Sequence, residues 1–262
     1  MEDLIIQNNK DIKQFIKLVL DTGTTMLKNG AEVYRVEDTM NRICNSRKNI
    51  TNADSFVTNT GIFITLEFQG EIFTYLRRVK EISINLNKIH MVNEFSRKFV
   101  TTDMPIDKGL LIIKEINNTK DYSTKLKILS GSTLSGFFSL MFGGNINDFF
   151  ASFIVGILVL FILYRLSKFN LTFFINTFIG AFLASFLSLI TFKLNIGHNL
   201  NVIIIGAIMC LVPGVSITNS IRDTISGDSL AGISKGIEAI LSALAIAFGV
   251  GIVLNLYTKG LI

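Results

Sequence analysis

The run DFFASFIVGILVLFILY, residues 148–164, decides what kind of protein this is. After Asp148 it carries no charged side chain. A helix needs about 20 such residues to cross the hydrocarbon of a bilayer, about 30 Å thick. Four similar runs flank it: LKILSGSTLSGFFSLMFG (126–143) before, then LTFFINTFIGAFLASFLSLITF (171–192), HNLNVIIIGAIMCLVPGVS (198–216) and IEAILSALAIAFGVGIVLNLY (237–257). The charges lie elsewhere. Residues 1–125 hold 18 of the 25 Lys/Arg and 16 of the 20 Asp/Glu, too many for the remainder to wrap a soluble core of its own. The expected architecture is therefore a soluble α+β domain over residues 1–120, followed by an all-α polytopic membrane domain of five transmembrane helices over 121–262.

Working toward the N-terminus, hydrophobic period assigns the first half. Ile12, Phe15, Ile16, Val19, Leu20 and Leu27 recur at spacings of three and four, and Gly30 supplies a stop. Val33, Val36, Met40 and Ile43 mark a second helix, whose other side carries Glu32, Arg35, Glu37, Asp38 and Arg42 as a candidate charge network. Over residues 53–79 the period drops to two, with turns at Gly61 and Gln69-Gly70, predicting a three-stranded antiparallel meander. Helical spacing returns at 83–100, and Pro105 suits the first turn of a helix over 106–118.

Several classes are excluded. Cys44 and Cys210 lie one in each half, which rules out a disulfide scaffold or a four-cysteine zinc site. His90 and His198 have no H-x-x-x-H spacing, so no metal and no cofactor is expected. The basic residues are not gathered into a nucleic-acid face with interleaved aromatics. There is no G-x-G-x-x-G, Walker-type loop or G-x-S-x-G, so the chain reads as neither a nucleotide-driven motor nor an enzyme. The start, MEDLIIQNNKDIKQF, lacks the long apolar segment of a signal peptide.

Lys and Arg set the orientation. With the N-terminal domain cytoplasmic, the short internal connections hold Arg165, Lys168, Arg222 and Lys235, and the external ones only Lys193. That predicts a multi-pass protein of the cell membrane (the inner membrane in an envelope with two), with N inside and C outside.

The spans are not plain anchors. Ser130, Gly131, Ser132, Thr133, Ser135, Gly136 and Ser139 line the first, where small residues admit a neighbouring helix or a polar path. Asn176 sits inside the third. The sharpest signal is PGVSITNSIRDTISGDSLAGISKGIEA, residues 213–239. Pro213 and Gly214 interrupt a helix, and Thr218, Asn219, Arg222, Asp223 and Asp228 follow closely. Interrupted helices expose backbone groups to a solute. The alternative is a polar cytoplasmic loop.

The motifs G-A-E-V-Y-R-V-E-D-T-M (Gly30–Met40) and P-G-V-S-I-T-N-S-I-R-D-T-I-S-G-D (Pro213–Asp228), followed by Gly232 and Glu238-Ala239, resemble the threonine/serine exporter family in its split, two-component form. The resemblance covers nearly the whole chain. It implies export of small amino acids, such as threonine and serine, or of dicarboxylates such as succinate. It also implies a second, small membrane protein as partner. The family's positions map onto Glu32, Arg35, Glu37 and Thr39 as a gating or domain network, and onto Pro213, Gly214, Asn219, Arg222, Asp223, Gly227 and Asp228. We therefore expect a subunit of a secondary transporter with Pro213, Gly214, Thr218, Asn219, Arg222, Asp223 and Asp228 binding substrate. The competing readings are a membrane-bound hydrolase using Glu32, Glu37 and Asp38 near His90, and a membrane-anchored ligand-binding or signalling protein.

Overall fold

The computed structural model describes residue 6 and residues 8–80, 82–169 and 171–262. Apart from Ile6, the first seven residues, on which the reading of the N-terminus partly rests, lie outside that range. The chain divides into two compact units: Met1–Asp121 with Val215–Gly236, and Tyr122–Gly214 with Ile237–Ile262.

In the first unit, α1 (Asn9–Lys28) starts where the Asn8 side chain accepts the amides of Lys10 and Asp11. Its buried residues include Ile12, Phe15, Ile16, Val19 and Leu27, the three-and-four stripe. It stops at Gly30, whose φ of +88° suits glycine. The helix α2 (Val33–Asn45) follows. Strands β1 (Ile50–Thr58), β2 (Gly61–Phe68) and β3 (Glu71–Arg78) form an antiparallel sheet in the order β1-β2-β3. The β2–β3 turn places both Gln69 and Gly70 at positive φ, as a tight hairpin requires. Ile62, Ile64, Leu66 and Phe68 of β2 face the core, while most of β3 is exposed. Helices α3 (Leu86–Thr101) and α4 (Ile106–Asn118) complete the N-terminal segment. Each fully buried Leu, Ile or Phe contributes about 1.5–3 kcal/mol. Arg47 is buried among them: its guanidinium lies 4.5 Å from the Phe99 ring centre and donates to the Met104 carbonyl at 2.9 Å.

The second unit contains α5 (Thr124–Met141), α6 (Ile146–Leu166) with a 3-10 turn over Ser167–Phe169, and α7 (Phe173–Lys193). Next come α8 (Leu200–Ile208) and a 3-10 turn, Met209–Leu211. Helix α9 (Gly214–Ile225) belongs almost wholly to the first unit, and α10 (Ser229–Thr258) leaves it after Gly236. The serine and glycine stripe of α5 is a packing face within this unit. A Cβ on Gly156 of α6 would lie 3.0 Å from the Ser135 hydroxyl, and one on Gly206 of α8 would lie 2.7 Å from the Ser135 carbonyl. The hydroxyls turn back onto their own helices, Ser132 donating to the Ile128 carbonyl and Ser188 to that of Ala184, both at 2.7 Å. Asn176 donates to the Leu171 carbonyl. Asp148, buried, accepts the amides of Asn145, His198 and Asn199, which ties the start of α6 to the segment before α8.

Five spans are expected from the sequence. Among the described residues, three helices are long and apolar enough by length and composition: Ile146–Phe169, Phe173–Lys193 and Ser229–Thr258. The pair Leu200–Leu211 and Gly214–Ile225, bent by 58°, makes a fourth if taken as one span. Helix α5 is not among them, because its serines, glycines, Lys125 and Lys127 dilute its apolar residues. In the fourth run the helix gives way at residues 212–213 and starts again at Gly214, the interruption expected from Pro213 and Gly214. Twelve residues, Leu200–Leu211, cover only about 18 Å at 1.5 Å each, less than a full crossing. Residues 217–236 are no loop; they are most of α9, a tight turn and the first two turns of α10.

Candidate functional site

The two motifs, about 190 residues apart in sequence, meet inside the first unit. The meeting is built from helix ends. Helix α2 begins at Glu32, whose side chain makes no cap hydrogen bond, so the first amides of the helix need acceptors from elsewhere. Asp223 of α9 supplies one, accepting the Val33 amide at 2.9 Å. Its other oxygen meets the Lys235 ammonium at 2.8 Å. Asp223 is fully buried and the Lys235 side chain is 12% exposed, so the pair is shielded from water. One turn before Asp223, Asn219 donates its side-chain amide to the Gly30 carbonyl at 3.0 Å.

Arg222 points to the other side of this contact. Its Nη1 meets Glu32 Oε1 at 2.7 Å, while Arg35 Nε lies 3.3 Å from Oε2. Glu32 therefore carries two guanidiniums. Burial acts to raise its carboxyl, but its backbone hydrogen bond and the two arginines outweigh that and hold it below the usual range. Arg222 and Asp223, adjacent in sequence, each take a different partner. Arg222 keeps 53% of its side chain exposed, whereas Asp223 has no access to solvent.

Glu37 lies five residues after Glu32, in α2. It accepts the Val57 amide of β1 at 2.6 Å and is half-buried. Burial, then the negative charges of Asp228, Asp54 and Asp223, push its carboxyl up to about 7. Asp228 is raised too, by burial and by Asp223, with Lys235 opposing. It sits in the turn between α9 and α10, where Gly227 has φ +100° and the Asp228 amide closes on the Asp223 carbonyl.

Helices α9 and α10 form a close hairpin around this turn. A Cβ on Gly232 would fall 2.1 Å from the Thr224 hydroxyl and 2.9 Å from the Ser220 carbonyl, and Ser220 donates its hydroxyl to the Gly232 carbonyl at 2.7 Å. Asn59, in the β1–β2 turn, holds the second limb by donating to the Ala231 carbonyl at 3.2 Å.

The structure thus gathers Glu32, Arg35, Glu37, Asn219, Arg222, Asp223 and Asp228. It does not gather the rest. Thr39 is buried on the inner face of α2. Thr218 is exposed on α9, and Gly214 has open space around it. Pro213 stands at the break between α8 and α9. From sequence Lys235 counts only as a flanking charge, although its place three residues after Gly232 puts it on the same side of α10. The groups of the hydrolase reading do not assemble. His90 is exposed with Glu94 as its neighbour at 3.6 Å, Asp38 pairs with Arg42, and Glu32 and Glu37 are engaged as above. Cys44 is buried, its thiol pushed up to about 12. No group of three or more His, Cys, Asp or Glu suited to a metal occurs among the described residues.

A family model of the threonine/serine exporters, ThrE, matches residues 17–257. The threonine/serine exporter of Corynebacterium glutamicum is 22% identical over 183 residues, which is 68% of this chain and 37% of that protein. The chain thus matches little more than a third of that relative's length. No solved structure matches it. With its apolar helices, this multi-pass membrane protein belongs to the threonine/serine exporter family.

Proposed function

We propose that the chain is one component of a secondary exporter for a small solute bearing a carboxylate, an amino acid such as threonine or serine or a dicarboxylate such as succinate. One observation carries this: an apolar helix breaks at Pro213 and continues into a helix whose polar residues grip the first motif. A second, small membrane protein completes the pathway. Residues 1–121 and 215–236 are cytoplasmic, and the C-terminus is external, following the Lys/Arg asymmetry. Five crossings fit this reading. Helix α5 spans with Leu126, Leu129, Leu134 and Phe137 toward lipid, all exposed, and Ser132, Ser135 and Ser139 toward α6 and α8.

The exposed part of Arg222 is the group suited to a solute carboxylate, since a guanidinium offers two parallel donors and an ammonium does not. Thr218 can add a hydroxyl from one turn away. Asp223 serves differently: buried and doubly engaged, it holds α9 in register so that Arg222 stays at the surface. Release of Arg222 from Glu32 would free it for solute, which makes Glu32 the competitor that resets the site.

The test is reconstitution in liposomes, this chain alone and with a second family chain, measuring efflux of threonine, serine and succinate. Wild-type efflux of one of them, lost in Arg222→Lys at equal abundance, is the expected result. Unimpaired efflux from Arg222→Lys would remove Arg222 from the pathway. Absence of efflux for all three, with or without the second chain, would remove the exporter reading.

A further inference from the structure

The acidic groups around Glu37 outnumber the cations available to them. On its own helix, Arg35 is taken by Glu32, and Asp38 and Arg42 pair with each other. From β1 comes Asp54, from α9 comes Asp223, and from the turn before α10 comes Asp228, all adding negative charge at Glu37. The cations on that side are already committed, Lys235 to Asp223 and Arg222 to Glu32. Glu37 itself has one donor, the Val57 amide. Val57, whose amide Glu37 accepts, and Asp228 line the same cavity, of about 160 Å3, so the turn of the α9–α10 hairpin lies against the strand that Glu37 holds. A charged carboxylate on Glu37 is repelled by Asp228, Asp54 and Asp223, and a neutral carboxylic acid is not.

We propose that Glu37 is the titratable element of a latch: with its carboxyl neutral the α9–α10 hairpin seats on α2 and β1, and with it charged the hairpin loosens, so that the first unit responds to the pH it faces. The inference does not rest on transport, because the hairpin and its seat belong to one unit. The sign follows from linkage. A carboxyl raised to about 7 in the seated form, and near its ordinary value when the hairpin opens, binds its proton more tightly when seated. Seating is strongest below the usual carboxylate range and weakens as the pH rises through about 7. If the whole shift is lost on opening, the seating equilibrium falls up to about tenfold between pH 6 and pH 8.

Hydrogen exchange of the full chain in lipid nanodiscs, at pH 6, 7 and 8 and corrected for intrinsic rates, reads this directly in peptides covering residues 30–40 and 219–236. Protection of both peptides should drop together as the pH rises, and Glu37→Gln should keep them protected throughout. Asp228→Asn removes one repelling charge, so the seated carboxyl of Glu37 is raised less and the loss of protection between pH 6 and pH 8 should shrink; at pH 8 its hairpin should be more protected than the wild type's. Flat protection in the wild type, or an unchanged pH response in Glu37→Gln, overturns the latch. Should Glu37→Gln fail to fold, Asp228→Asn decides: protection at pH 8 equal to that of the wild type overturns it as well.

Discussion

Two ion pairs in the site differ in what surrounds them, and that difference predicts their cost. Asp223 and Lys235 are shielded, so Lys235→Met strands a buried carboxylate and should cost about 3–5 kcal/mol. Arg222 is half-exposed, and water screens its pair with Glu32, so Arg222→Lys should cost about 1 kcal/mol or less. Thermal unfolding of the detergent-solubilised protein separates them: Lys235→Met should lower Tm well beyond Arg222→Lys. Equal shifts would mean that Asp223 is not held as described. Glu32, held below the usual carboxylate range, contributes stability that is present at neutral pH and lost only as the pH falls through its depressed value. It therefore changes charge on the acid side, well away from Glu37. The partners of these residues were not legible in the sequence. Arg222 beside Asp223 reads as a local pair, but neighbours on a helix are about 100° apart around its axis, so each side chain meets a different surface.

At the scale of elements, most of the first unit could be read directly. Period 3.6 placed α1, α2 and α3, Pro105 marked the start of α4, and period 2 placed the three strands, because the periodic elements each present one face to a shared core. The region after Pro213 was harder. Its many serines, threonines and glycines read as an interrupted or loop-like segment, yet the chain forms two helices closed at Gly227. Glycines within it have opposite roles. Gly232 lies where a Cβ would strike the Thr224 hydroxyl and the backbone of α9, while Gly214 has open space and an ordinary φ. Gly232→Ala should pry the hairpin open at a cost of about 1–3 kcal/mol, and Gly214→Ala should leave the fold intact. Limited proteolysis between residues 215 and 236 distinguishes them; equal resistance in both variants would contradict the close helix approach. Likewise, the α5 stripe was read as small and polar, but its partners within the chain came from packing against α6 and α8.

For the whole molecule, the testable consequence is sidedness. With Cys44 and Cys210 replaced by Ser, a membrane-impermeant thiol reagent added to intact cells should label Asn145→Cys and spare Ser46→Cys. The reverse pattern would invert the topology. The sequence by itself determined that the chain has a charged α+β segment and an apolar helical one, because composition and period act locally and residues of one face lie two to four apart. It also marked both motifs by their density of charged, amide and glycine residues. Only the tertiary structure decided that residues 215–236 belong with the first unit, that Asp223 caps α2 beside Lys235, and that Arg222 faces Glu32. The contacts of Asp223 and Arg222 with the start of α2 join positions about 190 residues apart, and no local period records which helix end will receive a distant carboxylate. What selects the partner is the orphan amide at the start of α2 and the scarcity of water around it, and both exist only once the chain has folded.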